Sequence, residues 1–312
     1  MKEISILKKV LERGEFAVTA ECGPPKGADP EVVLKKAELL RGKVDSVNVT
    51  DNQTAIVRMS SMAAGVLLKS IGLDPILQMV VRDRNRIALQ SDILGASALG
   101  IRNMLCLSGD HQKFGNQPQA AGVFDIDSIQ LLKTVKDMRD EGKIIGGDAL
   151  TKAPDMFIGA AANPFADPLA FRVIRLGKKI AAGADFIQTQ CIYNLDRFET
   201  WMEMVRERGL TEKCYILGGV TPLKSPGMAK YMKNNVAGMD VPDELIKRMQ
   251  GVSKEKWKEE GIKICVETVE RLKSMKGISG VHIMAIEWEE AVGEIAEKAG
   301  LLPRPVIEYS EN

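Results

Sequence analysis

Histidine is nearly absent: His111 and His282 are the only two in 312 residues. A His-rich metal centre or a Ser–His–Asp triad therefore has little material. Five cysteines, Cys22, Cys106, Cys191, Cys214 and Cys265, are scattered with no C-x-x-C among them. That spacing argues against a structural zinc site, a disulfide framework or an iron–sulfur cluster held by this chain. No G-x-G-x-x-G occurs, so a Rossmann-type nicotinamide site is not indicated. Charge of one sign is missing too. The 43 Lys and Arg against 42 Asp and Glu leave a net charge of +1, which offers no electrostatic footprint for nucleic acid or an anionic membrane. No apolar run approaches a membrane span, and the start, MKEISILKKVLERGEF, alternates charged and apolar residues at helical spacing rather than reading as a signal peptide. The cytoplasm is the expected location.

What is present is a rhythm. Eight short apolar runs, each followed by a helix-like segment, fill residues 16–300: FAVTAE (16–21), SVNVTD (46–51), PILQMVV (75–81), NMLCLSG (103–109), FIGAAAN (157–163), FIQTQCI (186–192), YILGGVT (215–221) and VHIMAIE (281–287). Most carry β-branched or bulky apolar residues with no sustained polar face, the pattern of parallel strands buried on both sides. Apolar residues at 45% and charged residues at 27% are ordinary for a globular chain. The expected fold is α/β, a closed (β/α)8 TIM barrel forming a single domain over residues 1–312. Such barrels carry their chemistry at the C-terminal ends of the strands.

Helical periodicity marks 29–42, 127–142 and 195–209, with Asp127 as an N-cap and Gly142 and Gly209 as residues just past helix ends. A helix over 167–182 opens with Asp-Pro, placing Pro at its first position. Two stretches break the rhythm. Residues 110–126 form a long polar loop after strand 4. Residues 225–277 hold three helical stretches between strands 7 and 8, more than one crossover needs, and read as an insertion over one side of the barrel mouth. Trp257 and Ile262 in it serve either as an interface or as packing against the barrel.

The strand ends hold the candidate chemistry. Glu21 closes strand 1 ahead of CGPPKG. A carboxylate at an apolar strand end has its pKa raised by desolvation and suits a general acid, although a rim glutamate paired with a lysine reads the same way. Asp110 is the first charge after strand 4, and Ser108 and Gly109 before it let a ligand approach the backbone. Gln188 and Gln190 share one face of strand 6. Inside a barrel they must be hydrogen-bonded, either to each other and neighbouring strands or to a polar heterocycle. Gln78 lies in strand 3, and Asn48, Thr50 and Asp51 end strand 2. These groups suit a planar, multiply hydrogen-bonding ligand better than a metal. After strand 5, the small residues of AAANPFADP leave space in the mouth, and Asn163 and Asp167 either bond a ligand or shape the turn. LGGVTPLKSP (217–226) is too loose a Gly/Pro stretch to read as a phosphate site.

Taken together, TAECGPPKG (19–27), VNVTDNQ (47–53), LSGD (107–110), AAANPFADP (160–168), FIQTQCIYN (186–194) and GGVTPL (218–223) resemble methylenetetrahydrofolate reductase. The resemblance covers nearly the whole chain and is strongest to the short bacterial form of acetogenic and related anaerobes. It implies a noncovalent flavin, FAD or FMN, no metal in this chain, and hydride transfer that converts 5,10-methylenetetrahydrofolate to 5-methyltetrahydrofolate or the reverse. By position it implies Glu21 as the acid that opens the imidazolidine ring, Asp110 as the carboxylate near flavin and pterin, and Gln190 as the amide that binds the folate head group. Thr50, Gln78, Ser108, Gly109, Asn163, Asp167 and Lys179 fall where the family contacts flavin.

There are departures. Gln78, Ser108, Asn163 and Asp167 stand where better-known members often carry His, Arg, Tyr and His, and Pro226 and Trp288 stand where others place an aromatic and an Arg used with the nicotinamide or folate tail. Acetogen-type reductases of this kind are often paired with an iron–sulfur and zinc-bearing partner subunit that brings in electrons. A homo-oligomer is open as well. The alternative functions are a flavin-free pterin-binding barrel of the methyltetrahydrofolate:corrinoid methyltransferase type, and a non-catalytic subunit. Retention of Glu21, Asp110 and Gln190 together argues against the last.

Overall fold

The computed structural model describes residues 4–307; residues 1–3 and 308–312 of the expected domain lie outside the described residues. Eight strands, β1 (Ala17–Cys22), β2 (Ser46–Val49), β3 (Pro75–Val80), β4 (Asn103–Leu107), β5 (Phe157–Ala162), β6 (Phe186–Cys191), β7 (Tyr215–Val220) and β8 (Gly280–Ile283), form a closed barrel in chain order. Each pairs in parallel with the next, and β8 returns to β1 through the register Val18↔Val281 and Ala20↔Ile283. The expected TIM barrel is the observed fold.

Helices α2 (Pro30–Leu40), α3 (Ser61–Ser70), α4 (Arg86–Ala98), α5 (Ser128–Asp140), α6 (Leu169–Ala181) and α7 (Leu195–Glu207) follow β1 to β6 in turn. Asp127 caps α5, and Gly142 and Gly209 take positive φ just past α5 and α7, where a Cβ is penalised. Pro168 is the N-cap of α6 rather than its first helical residue. Between β7 and β8 lie α8 (Pro226–Asn235), α9 (Asp243–Gln250) and α10 (Trp257–Lys273). The third packs on both flanking strands, so it is the ordinary crossover and only α8 and α9 are extra. Trp257 and Ile262 face inward: Ile262 belongs to the main core and Trp257 packs on a smaller apolar cluster with Leu223, Val241 and Met249. The last helix is α11 (Glu290–Lys298). Among the described residues no helix is long and apolar enough to cross a membrane.

The barrel interior is layered, and the layering places the site. At the bottom, α1 (Ile6–Glu12) acts as a plug. Its Leu7, Val10 and Leu11 pack on Ala17, Ile76, Phe157 and Phe186. Asp74 holds the plug by accepting from the Ile6 and Leu7 amides at 2.9 and 3.1 Å, a carboxylate on a helix N-terminus. Gly159 makes room there, since a Cβ on it would lie 2.2 Å from the Phe186 ring. Above this apolar layer sits a buried polar one. Asn48 Nδ2 donates to Gln188 Oε1 at 2.6 Å, and Gln188 Nε2 donates back to Asn48 Oδ1 at 3.0 Å and to Thr19 Oγ1 at 3.2 Å. Thr19 Oγ1 in turn meets His282 Nδ1 at 2.9 Å. Burial holds the His282 pKa down at about 3, so the ring is neutral. These bonds satisfy polar groups that would otherwise be costly inside the barrel. They form the floor of the mouth.

Candidate functional site

At the C-terminal end of the barrel lies a cavity of about 310 Å³, lined among others by Glu21, Gln78, Asn163, Lys179, Gln190 and Met284. Ala161 and Ala162 border it where bulkier strand-end residues would fill it. Cavities of this size take small heterocycles. The lining residues come from β1, β3, β4, β5 with α6, β6 and the end of β8, as expected for this face of a TIM barrel.

Glu21 is the next-to-last residue of β1. Burial pushes its carboxyl up from 4.5 to about 7, Glu289 adds to the rise, and a hydrogen bond from Gln53 and the charge of Lys36 pull the other way. The Gln53 Nε2 to Glu21 Oε1 distance is 3.4 Å, a weak contact that leaves most of the desolvation uncompensated. Lys36 does not pair with Glu21; it pairs with Glu289 at 2.7 Å. The alternative of a rim glutamate tied to a lysine is thereby replaced by a half-buried, protonatable acid.

Gln188 and Gln190 part company. Both line the cavity, but the Gln188 amide is used up in the floor with Asn48 and Thr19. Between Gln188 and Cys191 the strand is irregular. Gln188 pairs with Leu217 and Cys191 with Gly219, so β6 carries one extra residue at this point, and bulges re-aim side chains. Thr189 Oγ1 accepts from the Gly219 amide at 2.9 Å and stabilises the irregularity.

The remaining candidates fall into two groups. Thr50, just past β2, is buried, and its Oγ1 has no hydrogen-bond partner. Lys179 reaches from α6 to donate to the Ala161 carbonyl at 2.5 Å, and burial brings its pKa down to about 8. Asn163 Oδ1 accepts from the Phe165 amide at 3.0 Å, and Gly238 leaves room behind the Asn163 amide, where a Cβ would clash at 1.8 Å. Gln78, Asn163 and Lys179 thus converge on the cavity with Glu21 and Gln190. Ser108, Gly109, Asp110 and Asp167 do not line it and belong to the outer rim. Ser108 Oγ bonds Ser128 Oγ at 3.1 Å. Gly109 takes φ +81°, and a Cβ there would meet Val80 at 3.0 Å. The backbone carbonyl of Asp110 accepts from Arg82 Nη1 at 3.0 Å. Asp167 is 83% exposed and pairs with Arg197 at 2.8 Å, so it caps no helix. Of the two departures near the tail, Pro226 starts α8 in a buried position, and Trp288 packs on the core with Lys258 Nζ 5.3 Å over its ring.

Sequence reasoning did not single out Lys36, Gln53 or Glu289, all beside Glu21. Glu289 lies just past the last apolar run, and nothing local distinguishes it from its neighbours in EWEE (287–290). Among the described residues no group of three or more His, Cys, Asp or Glu side chains is placed to hold a metal, and all five cysteines are free and buried.

Fold and mouth define a (β/α)8-barrel protein with an acid and several amides around the cavity at its C-terminal end. The chain belongs to the methylenetetrahydrofolate reductase family, which matches residues 6–300. It is 24% identical over 251 residues to a probable methylenetetrahydrofolate reductase (NADPH) of Caenorhabditis elegans, covering 78% of this chain and 35% of that protein. It is also 24% identical over 329 residues to methylenetetrahydrofolate reductase (NADH) 1 of Arabidopsis thaliana, covering 99% of this chain and 52% of that one. The chain thus spans between about a third and a half of the length of these curated relatives. Among solved structures, an uncharacterized protein from Clostridium thermocellum that binds two copies of 5-methyl-5,6,7,8-tetrahydrofolic acid superposes with a TM-score of 0.64 at 16% identity, over 96% of this chain and 100% of that one.

Proposed function

We propose that this chain interconverts 5,10-methylenetetrahydrofolate and 5-methyltetrahydrofolate as a flavoprotein, with Glu21 as its acid. The observation that carries the reading is the Glu21 carboxyl, held up at about 7 by burial at the top of β1 and facing a cavity ringed by amides. Family membership and the methyltetrahydrofolate bound by the Clostridium thermocellum neighbour support the substrate class.

The residues present fit a flavin ring. Gln78 and Asn163 offer amides and Lys179 offers a cation at the cavity wall, and Thr50, outside that lining, holds a buried hydroxyl without a partner. Gly109 keeps the rim open to close approach, with Ser108 and Asp167 as outer contacts. A bound flavin, FAD or FMN, supplies the hydride chemistry.

The chain's own residues do the rest. Gln190 orients the pterin head group by hydrogen bonds to its edge. Glu21 gives its proton to the folate nitrogen as the imidazolidine ring opens, because the closed ring is a poor hydride acceptor until protonated. A donor titrating near 7 is matched to neutral pH. Asp110, a carboxylate on the rim, favours the cation that develops on the folate. The apolar layer beneath the polar floor keeps bulk water from reaching the acid from below.

The relationship to the acetogen-type branch is part of the same reading, and with it an iron–sulfur and zinc-bearing partner subunit as electron source. Two measurements test the function. Protein purified with added FAD or FMN is expected to be yellow and to bleach with methyltetrahydrofolate. A colourless protein that demethylates the folate only with a corrinoid protein would replace the reading by a methyltransferase. Glu21→Gln is expected to lower folate turnover by at least ~10²-fold while leaving flavin binding intact, and wild-type turnover in that variant would remove Glu21 from the mechanism.

A further inference from the structure

Glu21 lines two cavities at once. One is the mouth. The other is a crevice of about 40 Å³ behind it, formed where the end of β1, α2, the loop after β2 and the loop after β8 meet, and walled by Lys36, Gln53, Arg58 and Glu289. A polar space above roughly 10–15 Å³ admits a water molecule. The crevice opens to solvent past Gln53, Ile286 and Glu287, all exposed.

This geometry matters once substrate is seated. The folate ring covers Glu21 from the mouth, and the floor below is closed by the Asn48–Gln188 pair and neutral His282. After the proton leaves for the folate, the crevice offers a route back that does not require product to depart. We propose that Glu289 is the relay group that returns a proton to Glu21 through this crevice, and that Lys36 is the positioning residue that holds Glu289 for the task. The proposal rests on the reading of Glu21 as the acid.

Three features single out Glu289. Its carboxylate is buried, 9% exposed, and is gripped by Lys36 Nζ at 2.7 Å. It occupies the N-cap position of α11 yet makes no capping hydrogen bond, so it does not do the job its place in the helix would assign it. The turn that presents it is braced from the far side, where Lys224 Nζ donates to the Ile286 carbonyl at 2.6 Å. The charged groups around Glu21 are Lys36 from α2, Arg58 from the loop after β2, Glu287 and Glu289 from the loop after β8, and Lys179 across the mouth. Of the two carboxylates on the crevice wall, only Glu289 is buried and held.

The step balances without an oxidant. Glu21 as carboxylate takes a proton from a crevice water, breaking one water O–H bond and forming one O–H bond on Glu21. That water is made good by the Glu289 carboxylate, which first takes a proton from bulk solvent and then passes it to the water, returning to its ion pair with Lys36. One solvent proton enters, and no electrons change place.

Glu289→Gln keeps the shape and the hydrogen bond from Lys36 but cannot take up and hand on a proton. In the flavin-loaded full chain at low buffer concentration, its folate turnover is expected to fall by about tenfold or more, with an enlarged solvent isotope effect, and to recover as formate or imidazole buffer is added. Glu289→Asp should retain most of the rate. In the flavin-free protein, the infrared carboxyl band that disappears in Glu21→Gln should titrate at lower pH in Glu289→Gln, because a negative neighbour is gone and Lys36 remains. Turnover that stays at the wild-type level in dilute buffer, a loss that no buffer restores, or an unmoved Glu21 titration would each overturn the relay. If Glu21→Gln itself is fully active, the acid reading fails. If Glu21→Gln is crippled and Glu289→Gln behaves as wild type, only the relay fails.

Discussion

A carboxyl that is kept protonatable at neutral pH has a structural cost, and Glu21 makes that cost measurable. Its folded-state value is raised from 4.5 to about 7, chiefly by burial. A raised folded value means the folded state binds the proton more tightly than the unfolded state. The resulting stabilisation is fully present below about pH 4.5 and is lost as pH rises through 7. Glu21→Gln has no such loss. The variant's advantage in stability over wild type should therefore be small at pH 4.5, grow up to pH 7, and stay level above it. The plateau should be about 1–3 kcal/mol. Asp74, pushed up to about 6 by burial beneath α1, titrates in the same range, but it is common to both proteins and cancels in the difference. Paired thermal melts from pH 4.5 to 8 read the effect, and a pH-independent difference would show that Glu21 does not titrate as its surroundings demand.

Among the elements, α5 shows how closely local sequence rules are followed. The Asp127 carboxylate accepts from the Ile129 and Gln130 amides at 2.8 and 2.7 Å, and Gln130 Oε1 accepts from the Asp127 amide at 2.8 Å. Three otherwise orphaned donors are satisfied, the Asp127 and Gln130 amides reciprocally. Asp127→Ala should cost about 1 kcal/mol, read as a lower urea midpoint with an unchanged slope. Ser128, the first residue of the same helix, bonds Ser108 on the rim, so the variant should also weaken flavin binding modestly. No change in either quantity would show that the cap is idle. α6 starts differently. Its expected start signal, Asp167-Pro168, is present, yet the Asp167 side chain has turned to Arg197 instead of capping the helix. Nothing in the dipeptide announces a partner 30 residues away.

At the scale of the whole molecule, the proposed function raises the question of how electrons reach the mouth. Pro226 and Trp288, which stand by resemblance where other members place groups used with the nicotinamide or folate tail, are here committed to structure: Pro226 is buried at the start of α8, and Trp288 is packed under Lys258. A hydride donor must stack directly against the flavin, whereas a one-electron dye need only come near. The isolated chain is accordingly expected to oxidise methyltetrahydrofolate with a viologen or quinone acceptor while showing little folate-dependent NAD(P)H oxidation. Rapid NADH-driven reduction of methylenetetrahydrofolate by this chain alone would place it with self-sufficient reductases. The surface that would receive a partner is not the one containing Trp257 and Ile262, since both pack inward.

Several features of this protein follow from its sequence alone. The eight strands are legible because strands buried on both faces need unbroken apolar runs. The ends of α5 and α7 are legible because a positive φ calls for glycine and an orphaned amide calls for a side-chain acceptor. The position of Glu21 at the mouth then follows, since a strand's last residues in a closed parallel barrel always reach that face. Only the tertiary structure decided that the Gln188 amide is committed to the floor, because its partner is Asn48, 140 residues away. It also decided that Glu289 sits behind Glu21 and that α1 closes the bottom. Periodicity and capping act over a few residues and set what each segment becomes. Which buried polar groups meet depends on closing the barrel, and that is settled by packing between segments far apart in the chain.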